Sequence, residues 1–158
     1  MKKFFLFLLL GLIISGCIKK KEITYIPNEK LILDLMQDYA SALKKENLEL
    51  LDNFYVHENN LSVFPPGNLA QLNGWSQVKD YWEDFFKKNE ITDFYLDSAS
   101  VKVTGRSAWC KGVWVMKLKK GKRKYTWSGR FTTIFENREG KWLAIHEHSS
   151  MPRLFSSK

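Results

Sequence analysis

The spacing of apolar residues predicts three amphipathic helices in the first half of the folded part of the chain. The first helix follows Asn28, the second is a shorter helix after Asn47, and the third opens at Ser76. Asparagine and serine are favoured caps at the start of a helix. The apolar positions of the first and third helices recur with the three-to-four-residue spacing of one helical face: Ile32, Leu35, Met36, Tyr39 and Leu43, then Val78, Tyr81, Trp82, Phe85 and Phe86.

From Ile91 onward the pattern is typical of β-strands, with many valine, threonine and aromatic residues. Four such segments follow one another, at residues 93–104, 108–119, 124–136 and 141–150. The turns at Gly105, Gly121 and Gly140 are short, and short connections join antiparallel strands. One further short strand is predicted at residues 61–64. Helices followed by such a meander predict an α+β domain with an antiparallel sheet.

Both faces of this sheet carry apolar side chains. In the segment 108–119, Val113 and Val115 alternate with Trp114 and Met116, and successive side chains of a strand point to opposite faces. One face is expected to cover the helices, so the other needs a second cover. A second copy of the chain would supply it, and the sequence therefore predicts a homodimer formed through the sheet.

The N-terminal segment has the pattern of a targeting signal. Lys2 and Lys3 precede an apolar run over residues 4–14, which is shorter than the roughly 20 residues of a membrane-spanning helix. Residues 14–16 and Cys17 resemble the lipobox of bacterial lipoproteins. The resemblance implies cleavage before Cys17, acylation of this residue, and a lipid-anchored protein of the cell envelope, in the outer membrane if the cell is Gram-negative. An uncleaved signal anchor is the alternative interpretation.

These patterns divide the chain into four parts. They are a signal peptide at 1–16, a lipidated cysteine and tether at 17–28, a folded domain at 29–153 and a tail at 154–158. If Cys17 is acylated, Cys110 has no intrachain disulfide partner and is expected to be a packed strand residue.

Composition and charge narrow the class of protein. With 158 residues, 44% hydrophobic, the chain can form one domain with a real core, which excludes a disordered protein. Lysine and arginine number 25 against 17 acidic residues. Six of these basic residues lie between Lys117 and Lys124, around Gly121. Outside the cytoplasm, acidic lipid or polysaccharide is a better partner for them than nucleic acid, and a solubilising strand edge is the alternative. No nucleic-acid partner is predicted.

The C-terminal stretch carries short motifs in a characteristic order. They are Gly129-Arg130-Phe131-Thr132, then Gly140-Lys141-Trp142, then His146-Glu147-His148 with Ser150 and Pro152. This ending resembles the last two strands of SnoaL-like domains in the nuclear transport factor 2 superfamily, and also the association domain of calcium/calmodulin-dependent kinase II. Gly74 fits the same pattern. The resemblance implies a cone in which three helices pack on a curved antiparallel sheet, with a pocket at the open end and dimerisation through the sheet.

The resemblance allows the ketosteroid isomerase branch of the superfamily to be tested. Tyr39 takes the position of the tyrosine that stabilises the enolate in that branch, but the general-base aspartate would fall at Val63 or Phe64, and neither can accept a proton. Catalysis of this type is therefore not supported, and Tyr39 is expected to be a core or pocket-lining aromatic residue. His57 is either a base at the pocket mouth or a solvated loop histidine, and His146 is the remaining weak catalytic candidate.

The other candidate site residues lie on the predicted strands. His146 and His148 share one face. They are expected to cap the pocket or bond within the sheet rather than bind zinc, so no metal and no cofactor is predicted. Arg130 needs either an anionic ligand or an internal acid such as Glu147. The predicted pocket residues are Tyr39, Trp82, Trp114, Trp127, Arg130 and His148.

The leading hypothesis is a membrane-anchored module that binds a small, partly apolar ligand whose anionic group contacts Arg130. The alternative is a SnoaL-like enzyme of the isomerase, cyclase or dehydratase type, acting on a small hydrophobic substrate. That alternative requires a titratable group within hydrogen-bond reach of Tyr39. A third hypothesis is a structural dimerisation module with a vestigial pocket.

Overall fold

The computed structural model describes residues 29–68 and 70–152. The predicted signal peptide, the lipidation site Cys17, the tether with its helix cap Asn28, and the tail at 154–158 lie outside these residues. In the part of the chain that is described, no helix is long and apolar enough to cross a membrane.

The three predicted helices are present. They are α1 (Glu29–Lys44), α2 (Leu48–Asp52) and α3 (Gly74–Lys88). Asn47 caps α2, since its side-chain oxygen accepts a 3.0 Å hydrogen bond from the Leu50 amide. The third helix begins at Gly74, two residues before the predicted Ser76, because the Gly74 amide already donates a 2.8 Å hydrogen bond to the Leu61 carbonyl.

The sheet has six strands in the order β2-β1-β6-β5-β4-β3. They are β1 (Ser62–Phe64), β2 (Leu72–Asn73), β3 (Glu90–Thr104), β4 (Ser107–Lys120), β5 (Arg123–Arg138) and β6 (Lys141–Ser150). The last four form the predicted antiparallel meander. The sheet is mixed, however, rather than wholly antiparallel. β1 pairs in parallel with β6, with Val63 opposite Glu147, because it reaches the sheet from the helical part and not through a hairpin.

A bulge in β6 decides which side chains face the helices. Phe135 pairs with Ala144 and Ile134 pairs with His146, so Ile145 is an extra residue. An extra residue reverses the alternation of side chains between the two faces of a strand. Beyond it, Glu147 faces the helices. Two further register shifts lie in β3, between Ile91 and Asp93 and between Asp97 and Ser100.

The helices cover one face of the bent sheet, and the core lies between the two layers. Its largest fully buried side chains include Trp82, Phe54 and Phe135. The outer face of the sheet has no covering layer in the described chain. It exposes Trp109 by 41% and Ile134 by 36%, among charged neighbours.

Gly129 allows two parts of the core to approach each other. A β-carbon at this position would lie 2.1 Å from the Ser150 carbonyl oxygen and 2.6 Å from the ring of Trp114. Both distances are far below van der Waals contact, so the ring of Trp114 can lie over β5 only because residue 129 has no side chain.

We therefore expect Gly129→Ala to lower the free energy of unfolding by about 1–3 kcal/mol, as overpacking of a core does. Chemical denaturation measures the change. The matched control is Ser128→Ala, an exposed neighbour on the same strand, which should shift stability by less than about 0.5 kcal/mol. Equal effects of the two substitutions would show that the close approach at Gly129 is not needed.

Candidate functional site

A carboxyl group lies buried between the sheet and the helices. The Glu147 side chain, on the inner face of β6, belongs to a residue only 3% exposed. The Tyr55 hydroxyl donates a 2.6 Å hydrogen bond to Glu147 Oε2. The Tyr39 hydroxyl donates a 3.1 Å bond to Oε1, and Ser149 Oγ lies 3.3 Å from the same oxygen. The carboxyl group is thus bound by side chains from α1, from the segment after α2 and from its own strand.

The surroundings of Glu147 favour its protonated form. Burial raises the pKa of this carboxyl group, and the hydrogen bonds from Tyr55, Tyr39 and Ser149 oppose the rise only in part. Among the described residues, no lysine, arginine or histidine forms an ion pair with it. Burial, and then the charge of Glu147, raise the pKa of Tyr39 and of Tyr55 well above the ordinary phenol value. Both phenols therefore keep their protons and act as donors.

A small cavity adjoins Glu147. Its apolar walls include Met36, Leu43, Phe94 and Met116. The space open to the centre of a water-sized sphere is about 10 Å³, which is room for about one water molecule. A cavity is found between the helices and the sheet, but the surrounding rings leave room for about one water molecule, far below the roughly 300–1,000 Å³ of a ligand pocket.

Among the described residues, three buried side-chain polar groups at this cavity have no hydrogen-bond partner. They are Trp82 Nε1, Trp114 Nε1 and Thr133 Oγ1, and all three residues line the cavity together with Glu147. A buried polar group without a hydrogen bond costs about 1–3 kcal/mol. Three such groups around one space are unusual in a native fold.

Of the predicted pocket residues, Tyr39, Trp82 and Trp114 line the cavity. The other three lie elsewhere. Trp127 is half-buried and packs on Phe85 with ring centroids 6.2 Å apart. Arg130 and His148 are exposed on the outer face. Arg130 falls between the inward-facing Gly129 and Phe131, and the bulge in β6 places His148 on the same outer side, beside Phe64 at 5.6 Å.

The two weak histidine candidates do not contact the cavity. His57 is exposed, with Nε2 2.9 Å from the Asp52 carbonyl oxygen, and its ring stacks on Trp75. His146 is half-buried on the outer face, with Nδ1 3.3 Å from Ser62 Oγ. Burial, and then His148, lower the pKa of His146. Within the described residues, no group of three histidine, cysteine, aspartate or glutamate side chains is placed to hold a metal ion.

The sequence pattern did not mark Glu147 or Thr133 as cavity residues, nor Tyr55 as a partner of Glu147. Counting alternate positions from Trp142 places His146 inside and Glu147 outside, and only the bulge at Ile145 reverses this. The one available signal was that Glu147 is the single acidic residue of the predicted strand 141–150. The lone Cys110 is buried, and burial raises the pKa of its thiol to about 11, in agreement with a packed strand residue.

The raised pKa of Glu147 predicts that the stability of the protein depends on pH. The folded protein binds the proton of this group more tightly than the unfolded chain does. Its contribution to stability is therefore complete below the ordinary value of 4.5 and declines as pH rises through the folded-state pKa. Relative to the wild type, Glu147→Gln should become progressively more stable as pH rises from about 4 to about 8.

Denaturant unfolding at several pH values measures this difference. Asp97→Asn, on the exposed part of β3, controls for the loss of one carboxylate. A stability difference between Glu147→Gln and the wild type that does not change with pH would contradict the assignment of a buried, protonated carboxyl group.

The model of the SnoaL-like domain family matches residues 32–153. No curated protein matches the chain. Among solved structures, a nuclear transport factor 2-like protein from Salmonella enterica has 16% identity and a TM-score of 0.71, over 82% of this chain and 96% of that one.

Two further solved structures resemble the chain in fold. A candidate calcium/calmodulin dependent protein kinase II association domain from Xanthomonas campestris has 24% identity and a TM-score of 0.68, over 79% of this chain and 88% of that one. A candidate dehydratase of the same superfamily from Streptomyces avermitilis has 18% identity and a TM-score of 0.67, over 78% and 95%. The family match spans most of the chain and agrees with the order of helices and strands, so the chain belongs to the SnoaL-like domain family, with a nuclear transport factor 2-like fold.

Proposed function

We propose that this domain binds one compact, largely apolar, uncharged molecule that carries acceptor oxygen atoms. The observation that supports the proposal is the meeting of Trp82 Nε1, Trp114 Nε1 and Thr133 Oγ1, all buried and without partners, at one cavity. A carbonyl or ether oxygen placed there would accept from these donors and remove the cost of leaving them unpaired.

The charge around the cavity favours an uncharged ligand over an anionic one. Arg130, which the sequence analysis assigned to an anionic group, is exposed on the other face of the sheet. The titratable groups at the cavity are Tyr39 and Glu147, and neither is a cation. Among the described residues that line the cavity there is no lysine, arginine or histidine, so an anion would be buried there without a positive charge to pair with.

The walls of the cavity include side chains that can adapt to a ligand larger than one water molecule. Met36 and Met116 are unbranched, and methionine fills irregular spaces with little strain. Phe94 and Trp114 stack nearly in parallel, at 14° and a centroid distance of 6.5 Å, and offer a flat apolar wall. Rearrangement of the methionines would let a flat molecule lie against these rings.

A second candidate function is proton transfer of the dehydratase type. One observation favours it: Glu147 is a titratable group within hydrogen-bond reach of Tyr39, as the enzyme hypothesis requires. A carboxylic acid kept protonated by burial would donate its proton to a leaving hydroxyl group as the carbon–oxygen bond breaks. The carboxylate left on Glu147 would then take a proton from the adjacent carbon, so that a carbon–carbon double bond forms, water leaves and Glu147 returns to its acid form. Turnover of a hydroxy compound that is lost in Glu147→Gln would favour this candidate over simple binding.

We further propose that the domain is anchored in the bacterial envelope through acyl chains on Cys17 and that it forms a dimer. The lipobox-like sequence supports the anchor. The exposed Trp109 and Ile134 on the uncovered sheet face support the dimer, as does the similarity to an association domain.

If the cavity binds the ligand, replacing Thr133 by the isosteric valine should preserve the stability of the protein but weaken ligand binding. Thr133→Val removes an unpaired buried hydroxyl, so the ligand-free protein should be as stable as the wild type or more stable by up to about 1 kcal/mol. The same variant should lose ligand. Native mass spectrometry of protein purified from its own host reports a retained molecule, which the wild type should carry and Thr133→Val should carry less of. Thr132→Val, an exposed neighbour, should retain it fully. Equal retention by both variants would contradict the proposed site.

Anchoring and assembly are tested together on the whole chain in a bacterial host. The wild type should fractionate with membranes and incorporate radiolabelled fatty acid, and Cys17→Ser should do neither. The soluble fraction of Cys17→Ser should sediment with the mass of a dimer. Fatty-acid labelling that survives Cys17→Ser would remove the proposed anchor, and a monomer at micromolar concentration would remove the proposed dimer.

A further inference from the structure

The hairpin between β4 and β5 places like charges directly opposite each other. Lys119 pairs with Lys124 across the two strands, and Lys120 pairs with Arg123. Lys122 adds a charge in the turn. Like charges at opposed positions of neighbouring strands are destabilising. The opposed like charges therefore lower the stability of this hairpin. Residues that destabilise a local structure without a compensating interaction indicate a function.

Acidic neighbours neutralise little of this charge. Lys119 forms an ion pair with Glu90 at 2.8 Å. In the described chain, no acidic side chain pairs with Lys120, Lys122, Arg123 or Lys124.

The end of α3 extends the same basic surface. Its last turn carries Lys87 and Lys88, and both line one surface depression with Lys119, Lys120 and Gly121. Each of these two lysines pairs with an acidic residue one turn earlier in α3, Lys87 with Glu83 at 3.9 Å and Lys88 with Asp84 at 2.6 Å. Glu46 and Glu90 line the same depression, so the charge of this part of the surface is partly neutralised. Two separate elements thus contribute cations to one end of the domain.

We propose that this end binds the anionic headgroups of a phospholipid membrane. The basic end is defined as Lys87, Lys88, Lys120, Lys122, Arg123 and Lys124. Each lysine or arginine near an anionic bilayer contributes about 1 kcal/mol of attraction, so six such residues form a substantial binding surface. Tyr125 follows them on β5 and is 40% exposed. Tyrosine is favoured at the level of the headgroups, because its ring is apolar and its hydroxyl is polar.

The position of α1 makes this contact compatible with an anchor at Cys17. The C-terminal end of α1 lies near the basic end, since the Glu46 carboxylate accepts a 2.7 Å hydrogen bond from the Ile91 amide at the start of β3. Glu29, at the other end of the 16-residue helix, is about 24 Å away. The chain over 18–28 can span at most about 40 Å. It is therefore long enough for the anchor and the basic end to reach the same membrane surface.

The experiment uses the full chain returned to vesicles, with an environment-sensitive fluorophore, nitrobenzoxadiazole, attached through Thr126→Cys beside the basic end. Vesicles of phosphatidylcholine alone are compared with vesicles that also contain phosphatidylglycerol. We expect about a twofold or greater rise in emission with the anionic lipid only, because the label then meets the headgroup region. A salt concentration of 1 M should abolish the rise, since screening then acts within about 3 Å.

Three controls make the result specific. The unsubstituted chain, treated with the same dye, measures background labelling of Cys17 or Cys110. A label at Ser107→Cys, at the far end of β4, should not respond to anionic lipid. A fourfold glutamine variant at Lys120, Lys122, Arg123 and Lys124 should lose the rise, while four glutamines at other exposed positions, Lys30, Lys79, Lys111 and Lys141, should keep it.

Several outcomes would overturn the proposal. Equal emission in neutral and anionic vesicles would show that the basic end does not contact the lipid. A response to duplex DNA or to an acidic polysaccharide, but not to anionic vesicles, would assign the surface to that other partner. A lower melting temperature of the basic-end variant would assign the charges a structural role, whereas we expect an unchanged or higher one because the opposed like charges are gone.

Discussion

The structure depends on the burial of one carboxyl group between its two layers. Glu147 is held by hydroxyl groups from α1 and from the segment after α2, so the polar cluster ties the helices to the last strand. A buried carboxyl group without partners would cost several kilocalories per mole. Tyr39 and Tyr55 must therefore keep their positions whenever β6 is in place, and this requirement sets the depth at which α1 lies on the sheet. Apolar packing alone would allow neighbouring positions of the helix at smaller cost.

The same cluster explains why the cavity is poor in charge and rich in unpaired donors. The hydroxyls that bind Glu147 are satisfied, whereas the indoles of Trp82 and Trp114 are held by packing and have no acceptor. Gly129 contributes to this arrangement, because it admits the ring of Trp114 over the strand. A fold that retains such groups gives up stability locally, and functional sites are where proteins do so.

Periodicity predicted the three helices and the four long strands, because those features depend on repeated patterns of many residues. The family fold and the assignment of Tyr39 came from the resemblance of short motifs to SnoaL-like domains. Tyr39, Trp82 and Trp114 line the cavity. The positions of Glu147 and His148 were not predicted, because one bulge at Ile145 exchanges the two faces of β6. Such a bulge depends on how two strands fit against the core, and no single residue type specifies it. The parallel pairing of β1 was missed for a related reason, since it joins segments far apart in the chain.

That parallel pairing has a consequence for how the protein is made. Val63 meets Glu147 across β1 and β6, and Tyr55 forms a bridge to Ala144 in the same region. The partners of the early segments are thus synthesised last, and contacts between distant parts of a chain form slowly. Before β6 is synthesised, Tyr39 and Tyr55 lack the carboxyl group of Glu147 as a hydrogen-bond partner. The apolar faces of the helices are then not covered by a complete sheet. The helices and the early strands can therefore complete their packing only after the ten residues of β6 have been made.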